Sequence, residues 1–320
     1  MTSMIRRLIR AAVLGTGILV AGFAGAQSWP AKPLQIWHGM AAGSNPDVIA
    51  RTLQNPLAER LGQPVVIDLK PGAAGRIATA YVAKQPADGY SLILLNGGDG
   101  VLAALVKDLP YDLLRDYSFV STATVFPFLI LVPADSPYRT FGDLVTDARK
   151  RPGKLTYGHS GVASTLHLAG ELLGEQAGID LVHVPFKGDQ VQQVAAGRLD
   201  FAVSVSTAAI PFIKAGKIRA LAVTSLKRDA KFPEVPAVAE TVPGYDVTSW
   251  LGIAAPAGTP QAIVDRLSDE VRAVLAREDV ASRIRSFGSE PVAMTSAQFR
   301  ARVESDIAKW KRLAVRLSLE

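Results

Sequence analysis

The sequence predicts an α/β protein of two lobes, each a mainly parallel sheet flanked by helices, joined by two crossing strands. Three observations predict it. Short β-rich runs alternate with longer stretches of helical periodicity, separated by turns rich in Gly, Pro, Ser or Asn. Such alternation produces parallel sheets covered on both faces. It occurs twice, before and after a long β-prone segment interrupted by Pro127, and a second β-prone stretch at Val247 to Ala254 leads back.

The 320 residues are 48% hydrophobic and 20% charged, enough apolar material for two ordinary cores and too little charge for a disordered chain. The N-terminus has the pattern of a cleavable signal (residues 1–26). Arg6, Arg7 and Arg10 precede a short apolar run from Ala11 to Phe23, and Ala24-Gly25-Ala26 supplies the small residues of a cleavage point. That run is shorter than the roughly 20 residues of a bilayer span. Export with cleavage near Ala26 follows, by the general or the twin-arginine route. The chain has no cysteine, so neither a lipid anchor nor disulfides are expected. The formal charge of +6 includes the three arginines of the signal. The basic residues Arg300, Arg302, Lys309, Lys311, Arg312 and Arg316 fall at helical spacing around Glu304 and Asp306, as on a solvated helix face rather than a nucleic-acid surface.

In the first lobe, the strand Leu34 to His38 leads through a loop to a helix from about Pro46 to Leu61, with Val48, Ile49, Leu53 and Leu57 at helical spacing. Strands follow at Val65 to Leu69 and Ser91 to Leu95, with a helix near Gly75 to Ala83 between them. Phe119 to Val132 is the outward crossing. In the second lobe, Thr140 and Asp143 form a capping box. Strands at Leu181 to Val184, Phe201 to Val205 and Arg219 to Val223 alternate with helices after Ser164, Asp189 and Ala208. After the return crossing, Thr259 is expected to cap a helix with Pro260 first, and Thr295 with Gln298 opens the last one. The C-terminal helices should pack back on the first lobe. That gives a discontinuous first lobe (27–126 and 248–320), a second lobe (127–247), and a hinged cleft between them.

Ligands of open α/β sheets sit beyond the carboxyl ends of the strands, which directs attention to four loops. The first contains Met40, Ala42, Gly43, Ser44, Asn45 and Asp47; its small residues expose main chain, and Asn45 is the expected cap of a helix whose free N–H groups attract a carboxylate. In the second lobe, Ser160, Gly161, Ser164 and Thr165 precede another helix start. Asn96 and Gly97, Phe186 and Lys187, and Ser204 lie at other strand ends. Two anion sites facing each other across a cleft suit a ligand with two acidic ends.

Nothing points to catalysis, a metal or a cofactor. Gly158-His159-Ser160-Gly161 approaches the nucleophile elbow, but that motif needs glycine where Val162 stands. His38, His159, His167 and His183 are scattered along the chain without metal-ligand spacing, and no phosphate-binding glycine loop is present.

Over its mature length the chain resembles the substrate-binding proteins of tripartite tricarboxylate transporters, the Bug family. The stretches that carry the resemblance are Leu61 to Val66, Lys70 to Gly75, Asp88 to Tyr90, His167 to Leu172, Val184 to Gly188, Gly216 to Thr224, Pro243 to Tyr245 and Ala255 to Pro260, in matching order and spacing. The resemblance implies a type II periplasmic-binding-protein fold that closes as a monomer on a carboxylate, held largely by main-chain amides and ordered water from residues 39–47 and 160–165. It also implies delivery to a membrane partner of one large and one small subunit. A carboxylate-sensing role through a membrane histidine kinase is the alternative. Three positions depart from the family pattern: Met40 replaces an aromatic, Phe186 a tyrosine, and Ser204 an aspartate. These departures favour a less polar acid, aromatic or an aliphatic dicarboxylate, over citrate or an amino acid.

Overall fold

The computed structural model describes residues 29–186 and 189–317; the expected signal segment and Lys187 lie outside them. Strands β1 (Leu34–His38), β2 (Val65–Leu69) and β3 (Ser91–Asn96) are parallel, with β1 central. Their connections are α1 (Asn45–Leu61) and α2 (Arg76–Val82). Strand β4 (Tyr117–Pro133) spans both sheets. Through Pro127 it pairs antiparallel with β9 (Thr248–Pro256), which pairs in turn with β3; from Phe128 onward it pairs with β7 (Phe201–Val205) and β8 (Ile218–Val223). Strands β5 (Thr156–His159) and β6 (Val182–Pro185) complete the second sheet, where β5 runs parallel to both β6 and β7.

Pro127 does not interrupt the crossing as expected. It sits at the last pair of the first sheet, opposite Thr248, a boundary where a missing N–H breaks no interior ladder. The return is equally abrupt: the Val247 N–H still donates to the Thr224 carbonyl at 2.8 Å in the second sheet. Two strands therefore change sheets side by side.

The remaining helices are α3 (Gly97–Leu105), α4 (Phe141–Lys150), α5 (Thr165–Ala177), α6 (Gln190–Ala195), α7 (Ser206–Lys214), α8 (Gln261–Leu275), α9 (Glu278–Ser286) and α10 (Ser296–Leu317). Helix α3 was not expected from its Gly-Gly-Asp-Gly start. Asn96 and Asp99 nevertheless form a capping box there, with the Gly98 N–H donating to Asn96 Oδ1 and the Asn96 N–H to Asp99 Oδ2, both at 2.8 Å. Thr259 does not cap α8; its hydroxyl donates to the Pro256 carbonyl and Pro260 holds the cap position. The boxes at Thr140/Asp143 and Thr295/Gln298 form as the sequence predicts.

Helix α10 packs on the first sheet. Trp250 is fully buried against Phe299 and donates from Nε1 to Asp306 at 2.8 Å. The basic residues of α10 are thus not one solvated face. Arg300 pairs with Glu304 at the surface, but Arg302 grips Asp306 and the Thr248 carbonyl, and Arg316 reaches Glu175 on α5 at 2.9 Å.

Candidate functional site: four helix starts at the seam

Each lobe brings two helix starts to the seam between the sheets. In the first, β1 ends at His38 and the chain turns through residues 39–44 into α1. Gly39 is required here, because a Cβ would lie 2.3 Å from the Gly75 Cα of the adjacent turn. The imidazole of His38, fully buried, accepts the Met40 N–H on Nδ1, so its Nε2 donates to Asp47 Oδ1 at 3.3 Å. Asp47 also accepts the Gly43 N–H at 2.8 Å and Arg51 Nε at 2.9 Å. Burial lowers the pKa of His38, which outweighs the opposing Asp47 hydrogen bond, so the ring is neutral at physiological pH. Burial pushes the Asp47 carboxyl up, but its Arg51, Gly43 and His38 donors outweigh this and hold it below the usual range. Asp47 is therefore committed to shaping its own loop, with Met40 half-buried at the base and Ala42 and Gly43 exposed at the tip.

The cap of α1 is Ser44 rather than Asn45, and its side chain makes no capping hydrogen bond. Asn45 is the first helical residue, buried, and its Oδ1 accepts the hydroxyl of Thr207, at the start of α7 in the other lobe, at 2.9 Å. The α7 start also lacks a side-chain cap, since Val205 occupies that position. Around this bridge, Ser44 Oγ, Asn45 Nδ2 and Ser206 Oγ are buried without hydrogen-bond partners among the described residues. Buried polar atoms are seldom left so.

The other two starts also meet, because a Cβ on Gly98 of α3 would lie 4.0 Å from the Thr165 hydroxyl of α5. Both are capped internally. Ser164 Oγ accepts the His167 N–H at 3.1 Å, and both amide groups of Asn96 are engaged within the α3 box. Gly97 is buried against Ser249. Ser160 is exposed on the loop before α5, and Gly161 there takes a φ of +128°. The first turns of α1 and α3 carry Asp47 and Asp99, whereas those of α5 and α7 carry no acid. The second-lobe starts thus keep the full positive end of their helix dipoles.

Of the expected site residues, Ser44, Asn45, Ser164 and Thr165 gather at the seam. Phe186 and Ser204 are turned to other tasks. The Phe186 ring packs in the apolar cluster of Val191 and Leu199, and Ser204, fully buried, accepts from Gln190 Nε2 at 3.3 Å. Ser206 and Thr207 belong to the strand end Ser204-Val205-Ser206-Thr207 that the sequence marks, of which only Ser204 is among the expected site residues, although a Ser-Thr pair opening an apolar run after a strand is a helix-start signal. The histidines need the largest correction. His159, His167 and His183 are not scattered; one ring nitrogen from each falls within 4.8 Å of the others. Two open grooves, of about 530 Å³ beside Lys70, Arg76 and Tyr81 and about 620 Å³ beside Tyr111 and Lys311, lie on the first lobe away from the seam.

Comparison with known proteins places this geometry in a family. The model of the tripartite tricarboxylate transporter family receptor matches residues 49–319. A Pseudomonas sp. strain P51 protein encoded between tcbD and tcbE is 34% identical, covering 91% of this chain and 88% of its own. BugT of Bordetella pertussis is 32% identical, over 93% and 94%. Among solved structures, an R. palustris protein with adipate superposes with a TM-score of 0.83 at 36% identity, covering 89% of this chain and 97% of its own. The periplasmic binding protein BugD superposes with a TM-score of 0.81 at 29% identity, over 91% and 99%. A further R. palustris protein, MatC with bound malate, gives 0.79 at 27% identity, over 89% and 99%. The architecture is the two-lobed periplasmic-binding-protein fold, and the chain belongs to the tripartite tricarboxylate transporter receptor family, the Bug-type solute-binding proteins.

Proposed function

We propose that this protein is a periplasmic receptor that captures a small dicarboxylate between its lobes and delivers it to the large and small subunits of a tripartite membrane transporter. One observation carries the reading. The α1 and α7 starts, on opposite lobes and both without side-chain caps, meet through Asn45 and Thr207 and surround three unpartnered buried polar atoms. Main-chain N–H groups and helix dipoles aimed at one point suit a carboxylate, with no cationic clamp needed. Arg51, the cation in the second turn of α1, is already spent on Asp47. An apolar, flexible spacer then lets a second carboxylate reach the α3 and α5 starts. The adipate of the R. palustris relative supports an aliphatic dicarboxylate.

In this reading, residues 27–126 with 248–320 form one lobe and 127–247 the other. The mature chain, cleaved near Ala26, acts as a monomer that binds and releases its ligand without turning it over. Thermal unfolding against a panel of carboxylates, sugars and amino acids tests it. A ligand bound only by the folded state raises the midpoint with concentration, so C4 to C8 dicarboxylates should shift it and sugars should not. A reproducible sugar shift, or none from any carboxylate, overturns the reading.

A further inference from the structure

We propose that His159, His167 and His183 form a binding site for a divalent transition-metal ion inside the second lobe. The three come from different elements: the end of β5, the first turn of α5, and edge strand β6. Their ring centroids are 4.6, 4.8 and 5.4 Å apart, and one nitrogen from each lies within 4.8 Å of the others.

The pair already nearest to metal geometry is His159 Nε2 and His183 Nδ1, at 3.3 Å. Two imidazole nitrogens bound to one tetrahedral ion at zinc–nitrogen distances are also about 3.3 Å apart. His159 Nδ1 lies 2.9 Å from the Gly161 carbonyl. The Gly161 N–H also approaches Nδ1, at 3.2 Å, but the shorter carbonyl contact favours the proton on Nδ1 and leaves the Nε2 lone pair for the ion, the usual arrangement behind a metal-bound histidine.

His167 supplies the independent observation. It is 2% exposed, yet neither ring nitrogen has a hydrogen-bond partner among the described residues. The Glu171 carboxylate is 3.6 Å from Nε2, beyond hydrogen-bonding range, and accepts instead from the Tyr157 hydroxyl at 2.7 Å. Ring packing alone would leave two buried polar atoms unsatisfied, which native structures seldom tolerate. Coordination through Nδ1, with Nε2 turned toward Glu171, would satisfy both. An all-imidazole donor set selects zinc, copper, nickel or cobalt over magnesium or calcium. His183 is exposed, which gives the ion a way in.

The test is titration of metal-depleted mature protein with Zn²⁺, by calorimetry, and with Co²⁺, by visible absorption. Expected are one ion per chain, an intense d–d band of nitrogen-ligated tetrahedral Co²⁺, and affinity weakened more than about tenfold in His183→Ala. His183 lies exposed on an edge strand, so this variant should fold, and circular dichroism confirms it. Absence of saturable binding and of the band in the wild type, or equal binding by folded His183→Ala, overturns the proposal. The wild-type Co²⁺ spectrum decides alone if the variant fails to fold. Carboxylate binding is measured separately and bears on neither outcome.

Discussion

At the scale of single residues, the site is defined by which polar groups are already spent. Asp47 and Asn96 looked like ligand contacts in the sequence, because each stands in a glycine-rich stretch after a strand. Their side chains instead satisfy local backbone, Asp47 through Gly43 and Asn96 through Gly98. Linear sequence cannot distinguish these uses, since both require a short polar side chain at a helix start. Thr207 differs, because its hydroxyl bridges Asn45 and the Phe287 carbonyl of the other lobe. Thr207→Val removes this interlobe bridge and should weaken dicarboxylate binding by about 1 kcal/mol, roughly fivefold in Kd. Calorimetric titration of both proteins measures it; equal affinities would remove the α7 start from the site. The three-histidine cluster was illegible for a different reason. Its members are adjacent only because β5 and β6 pair in register and α5 folds back over them, with Tyr157 opposite His183.

At the scale of elements, most of the fold was legible and the exceptions have causes. The strands Val65 to Leu69 and Phe201 to Val205 match their observed bounds, because β-branched runs end in clear turn residues. Helix α3 was hidden by three glycines in its first turn, whose poor propensity is offset by the capping box and by packing against α10. The box has an electrostatic consequence. Burial pushes the Asp99 carboxyl up to about 6, against the Asn96 and Thr79 donors that favour its charged form. A carboxyl whose folded pKa lies above its unfolded value near 3.8 contributes stability at low pH, which is lost as pH rises through about 6. Relative to Asp99→Asn, the wild type should lose about 1–3 kcal/mol of stability between pH 4 and pH 7. Urea unfolding across that range measures the difference. Parallel stability curves would mean that Asp99 is ionised throughout.

At the scale of the molecule, binding depends on two strands that change sheets together. The switch at Pro127 and Phe128 lies beside that at Val247 and Thr248, so the lobes can rotate about a narrow double connection. The lobes are in contact here, through Thr207 with Asn45 and Arg316 with Glu175. The second is a half-exposed pair of the kind worth at most about 1 kcal/mol, but Lys231 with Glu290 and Lys309 with the Asp246 carbonyl also join the lobes, and buried apolar side chains of both form one continuous cluster, so a ligand adds to contacts already present. Both crossings were visible in the sequence as β-prone stretches too long for ordinary strands. Which helix starts they bring face to face was not, because that pairing depends on the angle between the lobes.

A crystal structure of the mature protein with adipate tests that pairing most directly. The expected result is one carboxylate at the seam, its oxygens within hydrogen-bonding distance of main-chain N–H groups at the starts of α1 and α7, beside Ser44, Asn45 and Ser206. Density for the ligand elsewhere, above all in the basic groove beside Lys70, Arg76 and Lys84, would contradict it.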